Sequence, residues 1–145
     1  MFAGATGGPV IWLVCGGRDF QDTPYVFACL DRLVGELGRP EQVIVGGALG
    51  ADTSAKMWAK HRKIRGWIVM PDWKKYGKAA GPLRNQRMLA YKPTHVIAFP
   101  GGAGTADMVR RASEARLIVL HHQPNPLPSP EDIHGACDGF GGSDF

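Results

Sequence analysis

The sequence predicts an α/β fold: one Rossmann-like, three-layer domain built on a five-stranded parallel sheet in the order 3-2-1-4-5. Three observations carry that prediction. Short apolar runs recur at residues 11–15, 43–45, 67–70, 94–99 and 117–120, each of strand length. Helical patterns separate them, and strands joined by crossover helices make a parallel sheet covered by helices on both faces. Three of the runs end in glycines that lead straight into a helix: Gly16-Gly17, Gly46-Gly47-Ala48-Leu49-Gly50 and Gly101-Gly102-Ala103-Gly104.

The first run, Ile-Trp-Leu-Val-Cys, holds no charged residue and reads as a strand buried on both faces. Thr23-Pro24 opens a helix, with threonine as the cap and proline at the first helical position. That helix runs to about residue 37, where Gly38 ends it. After the second strand, Ala51, Ala55, Trp58 and Ala59 line one face of a helix reaching about residue 63. The third strand is followed by an irregular stretch at 71–79 and a helix near 81–91. The fourth strand leads into a helix at 104–115, and the fifth strand closes the sheet. Residues 11–120 form the domain. Residues 1–10 are expected to be a flexible N-terminus. Residues 121–145, with Pro124, Pro126, Pro128 and Pro130 and then Gly139, Gly141 and Gly142, are expected to be a flexible tail with little core-forming capacity.

The chain has 145 residues, 44% of them hydrophobic and 21% charged, which suits one domain with a proper core. Its three cysteines form no CxxC pair, and the N-terminus lacks the pattern of a secretory signal. A reducing, cytoplasmic setting is expected, with no membrane span. The net charge is +4, and residues 56–87 hold ten of the seventeen lysines and arginines with Asp72 as their only acid. Such a band attracts phosphates. His121, His122 and His134 have no set of metal partners, so no metal and no cofactor are expected.

Right-handed crossovers place strands 1 and 4 side by side where the winding reverses, and ligands bind at the carboxyl ends of strands at such a point. All three glycine turns fall on that edge. A glycine turn into a helix leaves backbone N–H groups at the positive end of the helix dipole, an anion site. The turns supply Gly16, Gly17, Gly46, Gly47, Gly50, Pro100, Gly101, Gly102 and Gly104 as candidate ligand-binding positions. Thr105 either donates its hydroxyl to phosphate or caps the helix. Arg18 is a candidate phosphate clamp. Asp19 either bonds a ribose hydroxyl or pairs with a neighbouring loop, and Asp52 either contacts ligand or caps its helix. Trp73 and Tyr76 are candidates to stack on a base, with Lys78, Arg84 and Asn85 beside them; the alternative for the two rings is to cover the edge of the core. Neither GxGxxG nor GxxxxGK[ST] occurs, which argues against a dinucleotide dehydrogenase and a P-loop NTPase.

Four strings carry a family resemblance: Cys15-Gly16-Gly17-Arg18-Asp19-Phe20, Val45-Gly46-Gly47-Ala48-Leu49-Gly50-Ala51-Asp52, residues 72–85 from Asp72-Trp73 to Arg84-Asn85, and Phe99-Pro100-Gly101-Gly102-Ala103-Gly104-Thr105-Ala106-Asp107-Met108. In their order and spacing they resemble the YspA-like, cpYpsA-related branch of the SLOG superfamily, which unites the DprA/Smf and Lonely Guy proteins. The resemblance implies a nucleotide-type ligand and permits a ligand-sensing role. It also implies pairing of two copies through helices beside the site. Arg84 is the positional match to an active-site arginine of the Lonely Guy phosphoribohydrolases. Those enzymes carry PGGxGTxxE, and Met108 stands here at the glutamate position with Asp107 one residue before it. An N-glycosidic hydrolase using Arg84 and Asp107 is therefore the second reading, since a carboxylate suits an oxocarbenium-like transition state. Single-stranded nucleic-acid binding, which the DprA resemblance allows, is the third.

Overall fold

The computed structural model describes residues 8–121. The expectations for flexible termini fall largely on residues 1–7 and 122–145, outside the described residues. The chain runs β1 (Ile11–Cys15), α1 (Thr23–Leu37), β2 (Gln42–Val45), α2 (Ala51–His61), β3 (Arg65–Ile68), α3 (Trp73–Tyr76), a 3-10 turn (Gly77–Ala79), α4 (Ala80–Ala90), β4 (His95–Ala98), α5 (Ala103–Glu114) and β5 (Ile118–His121). The sheet is five-stranded and parallel in the order β3-β2-β1-β4-β5, as the sequence predicts.

Every residue of β1 is buried, because β1 is the central strand with helices over both faces. Alternate side chains of a strand point to opposite faces. Trp12 and Val14 therefore join Val26, Leu30 and Leu33 of α1 and Ala55 and Trp58 of α2 in one core. Ile11, Leu13 and Cys15 join Met88 of α4 and Met108 and Ala112 of α5 in the other. The first core turns on two tryptophans. The rings of Trp12 and Trp58 stack with centroids 6.0 Å apart and an interplanar angle of 10°. Trp58 Nε1 donates to Asp31 Oδ1 at 2.8 Å, and Arg62 holds both oxygens of the same carboxylate at 2.9 and 2.7 Å, tying α2 to α1.

Element boundaries move where a local rule outweighs apolar content. Asp22, not Thr23, caps α1: its carboxylate accepts from Tyr25 N–H at 3.2 Å, while Thr23 Oγ1 shares a hydrogen bond with Ser54 Oγ. The third strand pairs over Arg65–Ile68 rather than 67–70. It is an edge strand with all four residues exposed, so pairing rather than apolar content sets its limits. Helix α2 stops at His61, and Lys63 takes φ +59°. The stretch read as irregular contains α3, capped by Asp72 Oδ1 on Lys75 N–H at 3.1 Å. No helix among the described residues is long and apolar enough to cross a membrane.

Replacing Trp58 by alanine empties the centre of the first core and frees Asp31 from one partner. A loss of about 3–5 kcal/mol is expected in urea denaturation. A loss below about 1 kcal/mol would show that the stacked pair is dispensable.

Candidate functional site

The carboxyl ends of β1, β2 and β4 open into a cavity of about 340 Å³. Cys15, Gly16, Gly17 and Arg18 line it after β1; Gly46, Ala48 and Asp52 after β2; Trp73, Gly81, Arg84, Asn85 and Met88 from α3 and α4; and Gly102, Gly104 and Thr105 after β4. This is the reversal point of the sheet, where the sequence places the site.

The glycines divide into two kinds. Gly17 N–H donates to Pro100 O at 2.7 Å, so it is engaged within the protein rather than left for a ligand. A Cβ on Gly17 would lie 2.9 Å from Gly101 Cα, and one on Gly16 would lie 3.0 Å from Phe99 Cβ. Gly50 has φ +80°, and a side chain there would run into the carbonyls of Gly17 and Arg18. These residues are glycine because the turns pack on one another. Gly102 and Gly104 differ, since a Cβ at either meets nothing within 4 Å. They sit at the start of α5, whose cap is Gly102 and which has no side-chain cap. Its first intrahelical bond is Ala106 N–H to Gly102 O, so the N–H groups before it lack helical acceptors beside the cavity. Thr105 therefore does not cap the helix; it lines the cavity from the first turn.

Arg84 and Asp52 supply the cavity's charge at its floor. Arg84 Nη1 donates to Gly46 O, and Nε donates to Asn85 Oδ1 at 3.0 Å. The guanidinium lies where a Gly46 side chain would be. Burial lowers the Arg84 pKa, opposed by the charge of Asp52. Asp52 is 5% exposed. It makes no helix-cap bond; its Oδ2 accepts from Ala48 N–H at 3.1 Å and braces the loop after β2. Burial raises its carboxyl from 3.8 to about 6, against the pull of the Ala48 N–H and Arg84. Cys15 was not anticipated as a lining residue, although it is the last residue of the first apolar run. Burial, with Asp52 nearby, pushes its thiol up to about 12, so it stays protonated and unreactive.

Asn85, 3% exposed, joins the floor to α5. Its Nδ2 donates to Gly104 O at 3.1 Å and to Asp107 Oδ2 at 3.0 Å. Asp107 does not line the cavity. It accepts from Arg110 Nη2 at 2.9 Å and Arg111 Nε at 2.8 Å. Burial works against its ionised form, but hydrogen bonds from Asn85, Arg111 and Arg110 hold its pKa below the usual carboxylate value. Met108 is fully buried in the second core.

Several of the other expected positions surround the cavity without lining it. Asp19 and Lys78 are exposed. Gly47 turns toward Met70 and Ile68, and Gly50, Pro100 and Gly101 support the turns from behind. Trp73, 59% exposed, stands on the cavity wall, whereas Tyr76 faces a neighbouring groove with Lys75 and Arg87. Arg84 borders both. Ala48, Gly81 and Met88 line the cavity without having been expected; Met88 lies four residues after Arg84, and that helical spacing is the signal that finds it. Among the described residues no group of three His, Cys, Asp or Glu is placed to hold a metal ion.

An acid whose native pKa is raised binds a proton that the unfolded chain has already released. The wild type therefore loses stability, relative to Asp52→Asn, as pH rises from 3.8 to about 6. The change across that window is about 2–3 kcal/mol. Paired urea titrations at pH 4 and 7 measure it; a constant difference would mean that Asp52 titrates as an ordinary carboxylate.

Comparison with known proteins agrees with the fold. The Gene 61 protein of Mycobacterium phage D29 is 36% identical over 124 residues, covering 79% of this chain and 97% of that protein. The X-ray structure of DNA processing protein A (DprA) from Streptococcus pneumoniae superposes with a TM-score of 0.62 at 22% identity, over 90% of this chain. The chain spans 56% of the DprA chain, and the likeness is one of fold. The model of the YspA, cpYpsA-related SLOG family matches residues 10–76, across the first two glycine turns and α3. With the glycine turns, the sheet order and these relatives in agreement, the chain belongs to the YspA, cpYpsA-related SLOG family.

Proposed function

We propose that the cavity binds a nucleotide or nucleotide-derived ligand: a nucleoside phosphate, or an ADP-ribose-like or NAD-derived molecule. The observation that carries this reading is the start of α5, which has no side-chain cap and has open space at Gly102 and Gly104, opening on the same cavity as two arginines, Arg18 and Arg84. Backbone N–H groups at a helix start and guanidinium groups are both phosphate ligands. Trp73 on the wall offers a face for a base. A volume of about 340 Å³ is at the small end of ligand sites and suits one nucleotide unit, so a longer ligand would extend past the rim. A sensing role in the cytoplasm, by a homodimer, fits this reading.

Binding is favoured over N-glycosidic hydrolysis by Arg84 and Asp107. Asp107 is held by two arginines outside the cavity, and the next residue, Met108, belongs to the core. A single-stranded nucleic acid is the second reading. Its support is the exposed Trp73 and Tyr76 among Lys74, Lys75 and Lys78, a stacking and basic surface beside the cavity. Its mark would be a mobility shift lost steeply with added salt.

A thermal-shift screen against nucleotides, ADP-ribose and NAD tests the first reading. A ligand that binds the native state raises the midpoint with concentration. The shift is expected to vanish in Gly102→Val, whose added side chain enters open space and leaves the fold intact. In Arg84→Met, affinity should fall about 10–100-fold, the worth of a charge-assisted hydrogen bond. No shift with any of these ligands at millimolar concentration would overturn the binding assignment.

A further inference from the structure

We propose that the ligand has two nucleotide units, and that the groove shared by α3 and α4, beside the cavity at Arg84, holds the second of them. The inference rests on the binding reading above and extends that site. It makes the ligand a dinucleotide: two nucleosides joined through phosphate.

Two hollows meet at one side chain. Arg84 lines the cavity at the strand ends and also a neighbouring groove of about 550 Å³. Its Nη1 and Nε donate to Gly46 O and Asn85 Oδ1, and its Nη2 has no hydrogen-bond partner among the described residues. A guanidinium held by two of its nitrogens keeps the third as a fixed donor for phosphate.

Each hollow repeats the same chemistry around that arginine. The cavity adds Arg18 and Trp73. The groove adds Lys75, Arg87 and Tyr76. Lys75 Nζ stands 5.2 Å from the centroid of the Tyr76 ring, so charge and ring come together there. Neither Lys75 nor Arg87 forms an ion pair among the described residues. Asp72, the one acid lining the groove, is engaged as the cap of α3, where it accepts from Lys75 N–H at 3.1 Å.

The backbone sets the spacing of the two rings. Trp73 and Tyr76 are the first and last residues of α3, about 4.5 Å apart along its axis, and each borders its own hollow. Both rings are exposed. The order ring, arginine, ring matches base, phosphate, base: aromatic faces take bases and a guanidinium takes the linkage between them. One nucleotide unit suits the first cavity and leaves the groove empty, although the groove is itself of ligand size. Its cations and its ring then have no role in binding a mononucleotide, and a second unit gives them one.

The test is calorimetric titration of the full chain with AMP, with NAD, and with the 5′-phosphorylated oligonucleotides pApA and pApApApA, repeated on Tyr76→Ala and Arg87→Ala. The expected result is that NAD or pApA binds about 10–100-fold more tightly than AMP, the worth of one further stacked base. Whichever of the two does so tells a pyrophosphate linkage from a phosphodiester. Both variants alter exposed side chains, and each is expected to lower the ratio of dinucleotide to AMP affinity about 10-fold. NAD and pApA binding no more tightly than AMP would overturn the second subsite and leave the binding reading standing. So would a dinucleotide preference that survives in both variants. A further gain of about 10-fold or more from pApA to pApApApA would also overturn it, because the surface would then be a track for a single strand. Failure of every nucleotide to bind would remove the binding reading and this inference together.

Discussion

The contact on which the site depends is the meeting of the first and third glycine turns, where Gly17 N–H reaches Pro100 O at 2.7 Å. Parallel strands β1 and β4 deliver both turns to the same edge, but the strands alone do not fix the distance between the loops that follow. The hydrogen bond does, with Gly50 fitted beneath the Gly17 carbonyl from the second turn. Three backbones at such close approach leave no room for Cβ atoms between them. The cluster of glycines is first a packing solution. The space beyond it, walled by the start of α5 on one side and Arg84 on the other, follows from how tightly the turns close.

A second layer of order comes from α4. Arg84 and Asn85 are adjacent in sequence yet bind opposite sides of the cavity: Arg84 the loop after β2 through Gly46 O, Asn85 the first turn of α5 through Gly104 O. The bond between Arg84 Nε and Asn85 Oδ1 joins the two attachments. One helix thereby spans the opening between two loops that have no strand pairing with each other, and it does so with a buried Asn85 and a half-buried Arg84. Bonds of this kind are stronger in a dry setting than at the surface.

The sheet was legible in the sequence because a buried parallel strand needs an unbroken apolar run, and β1, β2 and β4 each have one. Strand β3 was legible only in part. As an edge strand it keeps Arg65 and Gly66 in its pairing, and neither announces a strand. Within the site, the glycines and Arg84 could be named from their positions after strands and at a helix start. The state of the carboxylates could not. Asp52 owes its raised pKa to burial, which Ala48 and Arg84 only partly offset, and Arg84 arrives from far along the chain. Asp107 was more accessible to reasoning than it looked, since Arg110 and Arg111 follow at three and four residues, the spacing at which helix side chains meet. Trp73 and Tyr76 show the same limit from another side: three residues apart, they border different hollows.

Gly102 and Gly104 stand apart from the other turn glycines in having free volume where a side chain would be. Their neighbours restrain the chain from behind, so folding places few demands on what these two positions carry. Mutation can therefore reshape the mouth of the cavity without loosening the domain that supports it. A scaffold with its rigid glycines and its permissive glycines so separated can change the shape of the cavity mouth by single substitutions.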